Sequence, residues 1–392
     1  MKTTLGVGMV GYSFMGAVHS HAWRTVHRVF DVPVEPAMVA VCGRDAAAAQ
    51  RAAEKFGWQS TETDWRALIA RPDIDIVDIC TPGSSHAEIA IAALAAGKHV
   101  FCEKPLATTV AEAERMATAA AEAQSQGILS MVGFNYRRVP ALALARELIR
   151  EGRLGVIREV RSAYLQDWIA DPDFPLVWRL KKEEAGAGAL GDIGSHIIDA
   201  SQFLVGSNII GVSGLLETFI KERPLGQMTD GLRAESTTGQ REMGAVTVDD
   251  AALFTARFAG GAIGSFEASR FAVGRKNGMS IEVYGSKGSL VFNFESMNEL
   301  MFHDHTLDPL EAGFRRILVT EAGHPYLEGW WPPGHVIGYE HTFTNELKDF
   351  LDCLASKTPP EPSFADGLQV QRVLEAVETS SDSRSSWTDV KE

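Results

Sequence analysis

The chain has 392 residues, 45% hydrophobic and 22% charged, with a formal net charge of -14. That length exceeds what one core usually organises, so two domains are expected. The acidic balance, with no cluster of Lys and Arg, argues against a nucleic-acid partner, and no apolar run is long enough to span a bilayer. Met-Lys-Thr-Thr runs directly into Leu5–Val10 without the apolar leader and cleavage site of a signal peptide. Cys42, Cys80, Cys102 and Cys353 lack metal-ligand spacing. The class expected from these features is a cytoplasmic enzyme.

Leu5–Val10 reads as a short buried strand that enters Gly11-Tyr-Ser-Phe-Met-Gly16 and then a helical segment, Ala17–Val29. Strand, glycine turn and helix form the setting in which a dinucleotide fingerprint carries meaning. The helix start offers unpaired N–H groups and positive potential to a pyrophosphate. Gly11, Ser13, Phe14, Met15 and Gly16 are therefore candidate cofactor contacts. Ser13 stands where the middle glycine of G-x-G-x-x-G belongs, so the alternative of a plain tight turn stays open.

Ala37–Cys42 is a second strand, followed by Gly43-Arg-Asp45 and the helix Ala46–Phe56. An acid at the end of this strand would bond the adenosine ribose of NAD. Gly43 occupies that place and Arg44 follows, a residue able to meet a 2′-phosphate. NAD and NADP both remain candidates. Asp73–Cys80 is another strand, stopped by Thr81-Pro82, and Ser85-His86 opens the next helix. His99–Cys102 is a further strand, ending in Glu103-Lys104-Pro105. A helix over Thr109–Gln126 and a strand over Ile128–Gly133 complete a repeated β-α pattern, as a doubly wound parallel sheet requires. Lys104, at a strand's C-terminal end, points to the edge where such sheets bind ligands. An ammonium there can stabilise charge developing on a substrate oxygen; a surface pair with Glu103 is the plainer alternative.

Gly186–Asp199 reads Gly-Ala-Gly-Ala-Leu-Gly-Asp-Ile-Gly-Ser-His-Ile-Ile-Asp. Asp192 and His196 are four apart and would share a helix face. A carboxylate near an imidazole suits general-base chemistry at neutral pH.

With Gly11–Gly16, Thr81-Pro82 and His86, Glu103-Lys-Pro105 and Gly191-Asp-Ile-Gly-Ser-His196 in order, the chain resembles the glucose–fructose oxidoreductase/inositol dehydrogenase (Gfo/Idh/MocA) family. The resemblance covers nearly the whole chain. It implies an α/β protein: an N-terminal Rossmann doubly wound parallel sheet over residues 1–134, and a C-terminal α/β domain with a large, mostly antiparallel sheet over 135–392. It further implies NAD(P)-dependent hydride transfer at a hydroxyl carbon of a sugar or polyol, and a homodimer or homotetramer formed through the open sheet. By the same resemblance Lys104 is the catalytic lysine, while Asp192 and His196 are substrate carboxylate and general base. Thr81, Pro82 and His86 become nicotinamide-side contacts, and Glu103 a ribose or nicotinamide contact. Ser13 and Gly43 depart from the family pattern.

Phe134-Asn-Tyr-Arg-Arg138 leaves the first domain, and Arg137 is well placed to line a cleft. A helix is expected over Pro140–Arg150 and a strand over Val156–Trp168. Trp168 and Arg179 are candidate sugar contacts, since an indole face stacks on a ring and a guanidinium bonds hydroxyls; core packing is the alternative. Strands are expected over Ile209–Ile220, Asp250–Phe258, Ala262–Ser269, Met279–Tyr284 and Ser289–Phe294. Residues 221–244 carry no pattern and read as an excursion loop. Pro325–Tyr339, with Trp331 and His335, is rigid and aromatic, suited either to closing over a sugar or to covering a sheet edge. Helices are expected over Glu340–Ser356 and Asp366–Glu378.

His19, His21 and His27 near the first helix, and His303 with His305, lack a third ligand, so no metal is expected. The expected reaction has His196 taking the hydroxyl proton, Lys104 steadying the same oxygen and Asp192 assisting. Two alternatives keep the ligands: cofactor-dependent glycoside cleavage or elimination without net redox, and a non-catalytic sugar or dinucleotide sensor.

Overall fold

The computed structural model describes residues 2–230, 232–236 and 242–391. The chain divides into two compact units, Met1–Asn135 with Gly338–Gln371, and Tyr136–Ile337 with Arg372–Glu392.

The first unit opens with β1 (Thr3–Val10), α1 (Phe14–Val29), β2 (Val34–Cys42), α2 (Ala46–Phe56), β3 (Ser60–Glu62), α3 (Trp65–Ala70), β4 (Ile76–Ile79), α4 (His86–Ala95), β5 (His99–Glu103), α5 (Val110–Gln124) and β6 (Ser130–Gly133). The strands form one parallel sheet in the order β3-β2-β1-β4-β5-β6. A parallel sheet covered on both faces needs strands apolar on both sides. Val7, Met9, Val41, Ile76, Val77, Ile79, Val100 and Met131 are accordingly buried. Asp78 is the exception, a fully buried carboxylate in the middle of β4. Local chemistry sets the helix ends. The Asp45 carboxylate accepts the Ala48 N–H at the start of α2, and Thr109 does the same for Glu112 at the start of α5.

The second unit begins with α6 (Pro140–Arg150), β7 (Ile157–Leu165), the single turn α7 (Lys182–Ala185) and α8 (Ser195–Val205). Then come β8 (Ile209–Glu217), β9 (Glu222–Pro224), β10 (Gly226–Asp230), β11 (Arg233–Ser236), β12 (Met243–Ala245), β13 (Ala251–Phe258), β14 (Ile263–Ser269), β15 (Gly278–Gly285), β16 (Gly288–Asn293), β17 (Glu299–Asp304), β18 (Arg315–Leu318) and β19 (Thr388–Asp389). Nine of these build one sheet, β18-β17-β16-β15-β7-β14-β13-β8-β19. Only the β7–β14 pair is parallel. Burial alternates along β13 and β14, so one face of the sheet meets the core, where α6 packs on β16 and β17 and α8 on β7 and β15. Leu215 and Leu253, paired across β8 and β13, lie exposed.

The α/β expectation, a doubly wound sheet plus a mostly antiparallel one, is met. Two details differ. Residues 221–244, read as a loop, hold β9, β10, β11 and β12; residues 231 and 237–241 lie outside those described. β9 pairs antiparallel with β12, and Arg223 in β9 is fully buried. Its guanidinium donates to the carbonyls of Ile169, Asp171 and Phe174, a long-range anchor that no local pattern announces. The second detail is the helix α9 (Tyr339–Ser356), which belongs to the first unit, where residues 135–392 were expected to form one domain. α9 packs on α1, and Asn135 donates to the Thr342 hydroxyl at 2.8 Å. The helix α10 (Phe364–Asp382) starts in the first unit and ends in the second.

Candidate active site

The turn after β1 is built for close approach. Gly11 has φ +99°, and a Cβ there would sit 2.8 Å from the Cys80 carbonyl oxygen. A Cβ at Gly16 would lie 2.3 Å from the Gly11 carbonyl oxygen. Only glycine fits either place. Ser13 is the N-cap of α1; its side chain is exposed and makes no cap hydrogen bond. Phe14 is exposed and Met15 half-buried. The unfilled first turn suits an anionic pyrophosphate, so the residues present fit a dinucleotide.

The missing acid at position 43 has a steric cause. A Cβ there would lie 1.9 Å from the Tyr12 ring, so the Tyr12 side chain fills the space. Arg44 is exposed, and Asp45 caps α2.

Thr81 and Pro82 follow β4; the Thr81 hydroxyl accepts from Ser85 at 2.7 Å. His86, expected beside the nicotinamide, is buried. Its ring nitrogens face the carbonyls of Pro105 at 3.1 Å and Thr81 at 2.8 Å. Burial holds its pKa below the usual range, so the neutral ring has one N–H to donate to one of them. His86 joins the exit of β4 to the exit of β5.

Glu103 is likewise 4% exposed, with both carboxylate oxygens engaged inside the protein. Oε1 accepts from His19 Nε2 at 2.8 Å, and Oε2 accepts from the Lys104 backbone N–H at 3.1 Å. The other ring nitrogen of His19, Nδ1, lies 3.0 Å from both oxygens of Asp78, and the Trp23 indole donates to Asp78 at 2.7 Å. Lys104 itself is half-buried, and its bond to Pro105 is cis. Sequence reasoning weighed His19 only as a metal ligand. The missed signal was Asp78: a carboxylate in a strand buried on both faces must have a partner.

In the second unit, Asp192 lies in a π-helical turn, Leu190–Gly194, that runs into α8, and His196 is the second residue of α8. Such turns break helix regularity and recur at functional sites. Asp249 fixes the approach. Its carboxylate accepts the N–H groups of Gly188 at 2.7 Å and Leu190 at 2.8 Å. A Cβ at Gly188 would lie 1.8 Å from the Asp249 carbonyl oxygen, which explains a glycine there.

Asp192 is held by two guanidiniums, Arg179 at 3.1 Å and Arg270 at 3.7 Å. Arg270 is fully buried, stacks 5.5 Å from the Trp168 ring and donates to the Asp249 carbonyl at 3.0 Å. Trp168 also meets Phe174 edge-on at 5.3 Å. The His196 ring is 7% exposed and lies 4.6 Å from the Tyr136 ring and 5.9 Å from that of Tyr164. The two phenols share a 2.5 Å hydrogen bond, Tyr164 donates to Asn277 at 2.6 Å, and Gln166 donates to the same oxygen at 2.8 Å. Burial pushes the Tyr136 phenol up to about 12, so it stays protonated at neutral pH. Arg137, expected in a cleft, is buried in a two-bond pair with Asp199 of α8, at 2.9 and 2.6 Å. His335 is exposed, and its Nδ1 donates to the Pro332 carbonyl at 2.9 Å, closing its own turn.

A parallel sheet in this order, with a glycine turn at the start of its first helix, defines a dinucleotide-binding protein, and the second unit carries a carboxylate and an imidazole at the start of α8. Residues 5–133 match the NAD-binding Rossmann fold of an oxidoreductase family, and residues 142–291 match the Gfo/Idh/MocA C-terminal domain. The chain belongs to the Gfo/Idh/MocA oxidoreductase family. It is 44% identical to levoglucosan dehydrogenase of Pseudarthrobacter phenanthrenivorans over 98% of both chains. It is similar, at 62% identity and TM-score 0.94 over the full length of both chains, to the crystal structure of an oxidoreductase domain protein from Kribbella flavida. A levoglucosan dehydrogenase complex with NADH and levoglucosan superposes with TM-score 0.92 at 43% identity over all of both chains. Among the described residues no helix is long and apolar enough to cross a membrane.

Proposed function

We propose that this protein is an NAD-dependent dehydrogenase that oxidises a ring hydroxyl of a cyclic sugar of the levoglucosan type. The observation carrying this reading is the fixed Asp192 four residues before a nearly buried His196 flanked by two tyrosines. His196 takes the hydroxyl proton as general base. Lys104 steadies the same oxygen as negative charge develops on it. Asp192, its orientation set by Arg179 and Arg270, accepts a hydrogen bond from a neighbouring hydroxyl. Gly11, Ser13 and Gly16 hold the cofactor's phosphates and Thr81 and Pro82 flank its far end; the bound nicotinamide supplies the hydride acceptor. The NADH complexes of similar structures favour NAD over NADP, and the exposed Leu215–Leu253 face is the surface through which copies would associate.

The test incubates the purified protein with NAD, levoglucosan and a panel of polyols. Reduced nicotinamide absorbance rising in step with product supports the reading. Product without that rise would favour cleavage or elimination with no net redox. Binding without turnover would leave a sensor.

A further inference from the structure

His19, Asp78, Trp23 and Glu103 form a buried network that the proposed chemistry does not use directly. They come from α1, β4 and the end of β5, separated by 59 and 84 positions at the two imidazole contacts. Exposures are 1% for His19, 0% for Asp78 and Trp23, and 4% for Glu103. An ionised carboxylate only accepts hydrogen bonds. Each ring nitrogen of His19 faces a carboxylate, so both must carry hydrogen, and the ring is an imidazolium. Two buried anions share this one cation, and the Trp23 N–H relieves Asp78 further. Burial by itself lowers the imidazole pKa, but Asp78 and the neighbouring Cys80 together outweigh it and raise the ring well above its usual range.

Cys80 also lies within reach of His19 and Asp78, which together resemble a metal donor set. Its thiol donates to Asp78 at 3.5 Å, while His19 and Asp78 already engage each other. Hydrogen bonding therefore accounts for the cluster.

We propose that His19 is a positioning residue: as an imidazolium between Asp78 and Glu103 it fixes Glu103, whose second oxygen fixes the Lys104 backbone and so sets where the lysine ammonium stands. This rests on the reading of Lys104 as the group that steadies the reacting oxygen. The same ring lies in the second turn of α1, so it ties the glycine turn at that helix's start to the ends of β4 and β5. Phe101 and Phe343 wall it on two sides, each ring centroid 5.5 Å away. The Lys104 backbone N–H donates directly to Glu103, so displacement of Glu103 passes to Lys104.

The test compares His19→Gln, Glu103→Gln, Lys104→Met and the His19→Gln/Lys104→Met double variant in the full-length protein. The readouts are kcat, KM for the sugar, NADH affinity by fluorescence, and Tm. His19→Gln is expected to lower kcat about 10²-fold with the sugar KM little changed, as a small misplacement of a reacting group does. On the Lys104→Met background the same change should add almost nothing, because both act through one group. Glu103→Gln, which puts an amide donor against an N–H, should reproduce the kcat loss. A His19→Gln protein with a lowered Tm but parental kcat would overturn the proposal and leave a structural role. If Lys104→Met keeps parental kcat, the reading of Lys104 fails, and that result is distinct. Nitrogen-15 NMR of His19 in the unaltered protein at pH 8 needs no variant to fold. Two protonated ring nitrogens are expected, and a neutral ring would overturn the imidazolium.

Discussion

The two units each hold a charged cluster, buried in the first and half-buried in the second, and the clusters are inverses. In the first, one cation, His19, serves two carboxylates, Asp78 and Glu103. In the second, one carboxylate, Asp192, is served by two guanidiniums, Arg179 and Arg270. The shared member is the vulnerable one in both. Removing it leaves two like charges facing each other without a mediator, whereas removing an outer member leaves one good pair. The first cluster supports a backbone, at Lys104 N–H. The second directly holds Asp192, a side chain proposed to meet substrate. A fault in the first should therefore show mainly in kcat, and a fault in the second in substrate KM as well.

The comparison breaks hardest at the chemical groups themselves. His196→Ala should lower kcat by about 10²–10⁴-fold, the range for loss of a general base, measured by steady-state turnover with NAD and sugar. Turnover within a few-fold of the parent would remove the base role.

Arg270→Met comes next. It takes away a fully buried guanidinium that faces Asp249 and Asp250 as well as Asp192, and should cost about 3–5 kcal/mol in urea unfolding. Arg179 still holds Asp192, so the sugar KM should rise with kcat less affected. Unchanged stability would mean that Arg270 contributes little to the cluster.

Smaller effects follow from pH, with opposite signs in one unit. His19 is raised in the folded state, so its stabilisation is full below the unfolded value of about 6.5 and is lost as pH rises through the folded pKa. The groups facing it are Asp78, Glu103, Cys80 and the Phe101 and Phe343 rings. His86 is lowered by burial, so its contribution is present above about 6.5 and lost as pH falls towards the folded pKa. The carbonyls of Thr81 and Pro105 and the Glu103 carboxylate face it. The Tm difference between the parent and His19→Gln should shrink from pH 6 towards alkaline pH. A difference that grows instead would reverse the assigned charge.

The smallest expected effect concerns Asp45. Asp45→Ala should lower stability by about 1 kcal/mol through the lost cap on α2, with NAD affinity unchanged by titration. Weakened NAD binding would make Asp45 a cofactor contact as well as a cap.

The amino-acid order by itself determined what depends on near neighbours. α2 and α6 start and end at the expected residues, because Asp45 and Gly57 bracket one and Pro140 begins the other. Apolar strand runs between helices also determined the first sheet, and the spacing of Lys104, Asp192 and His196 identified the residues worth testing. Tertiary structure alone decided the partners. The meeting of His19, Asp78 and Glu103 from one helix and two strands, the return of α9 to cover α1, Arg223 pinning β9, and the inward bonds of Glu103, His86 and Arg137 all join residues distant in the chain. Periodicity reports which face of an element is apolar, but a buried charge is satisfied by whatever group the fold brings to it, and only the folded chain identifies that group.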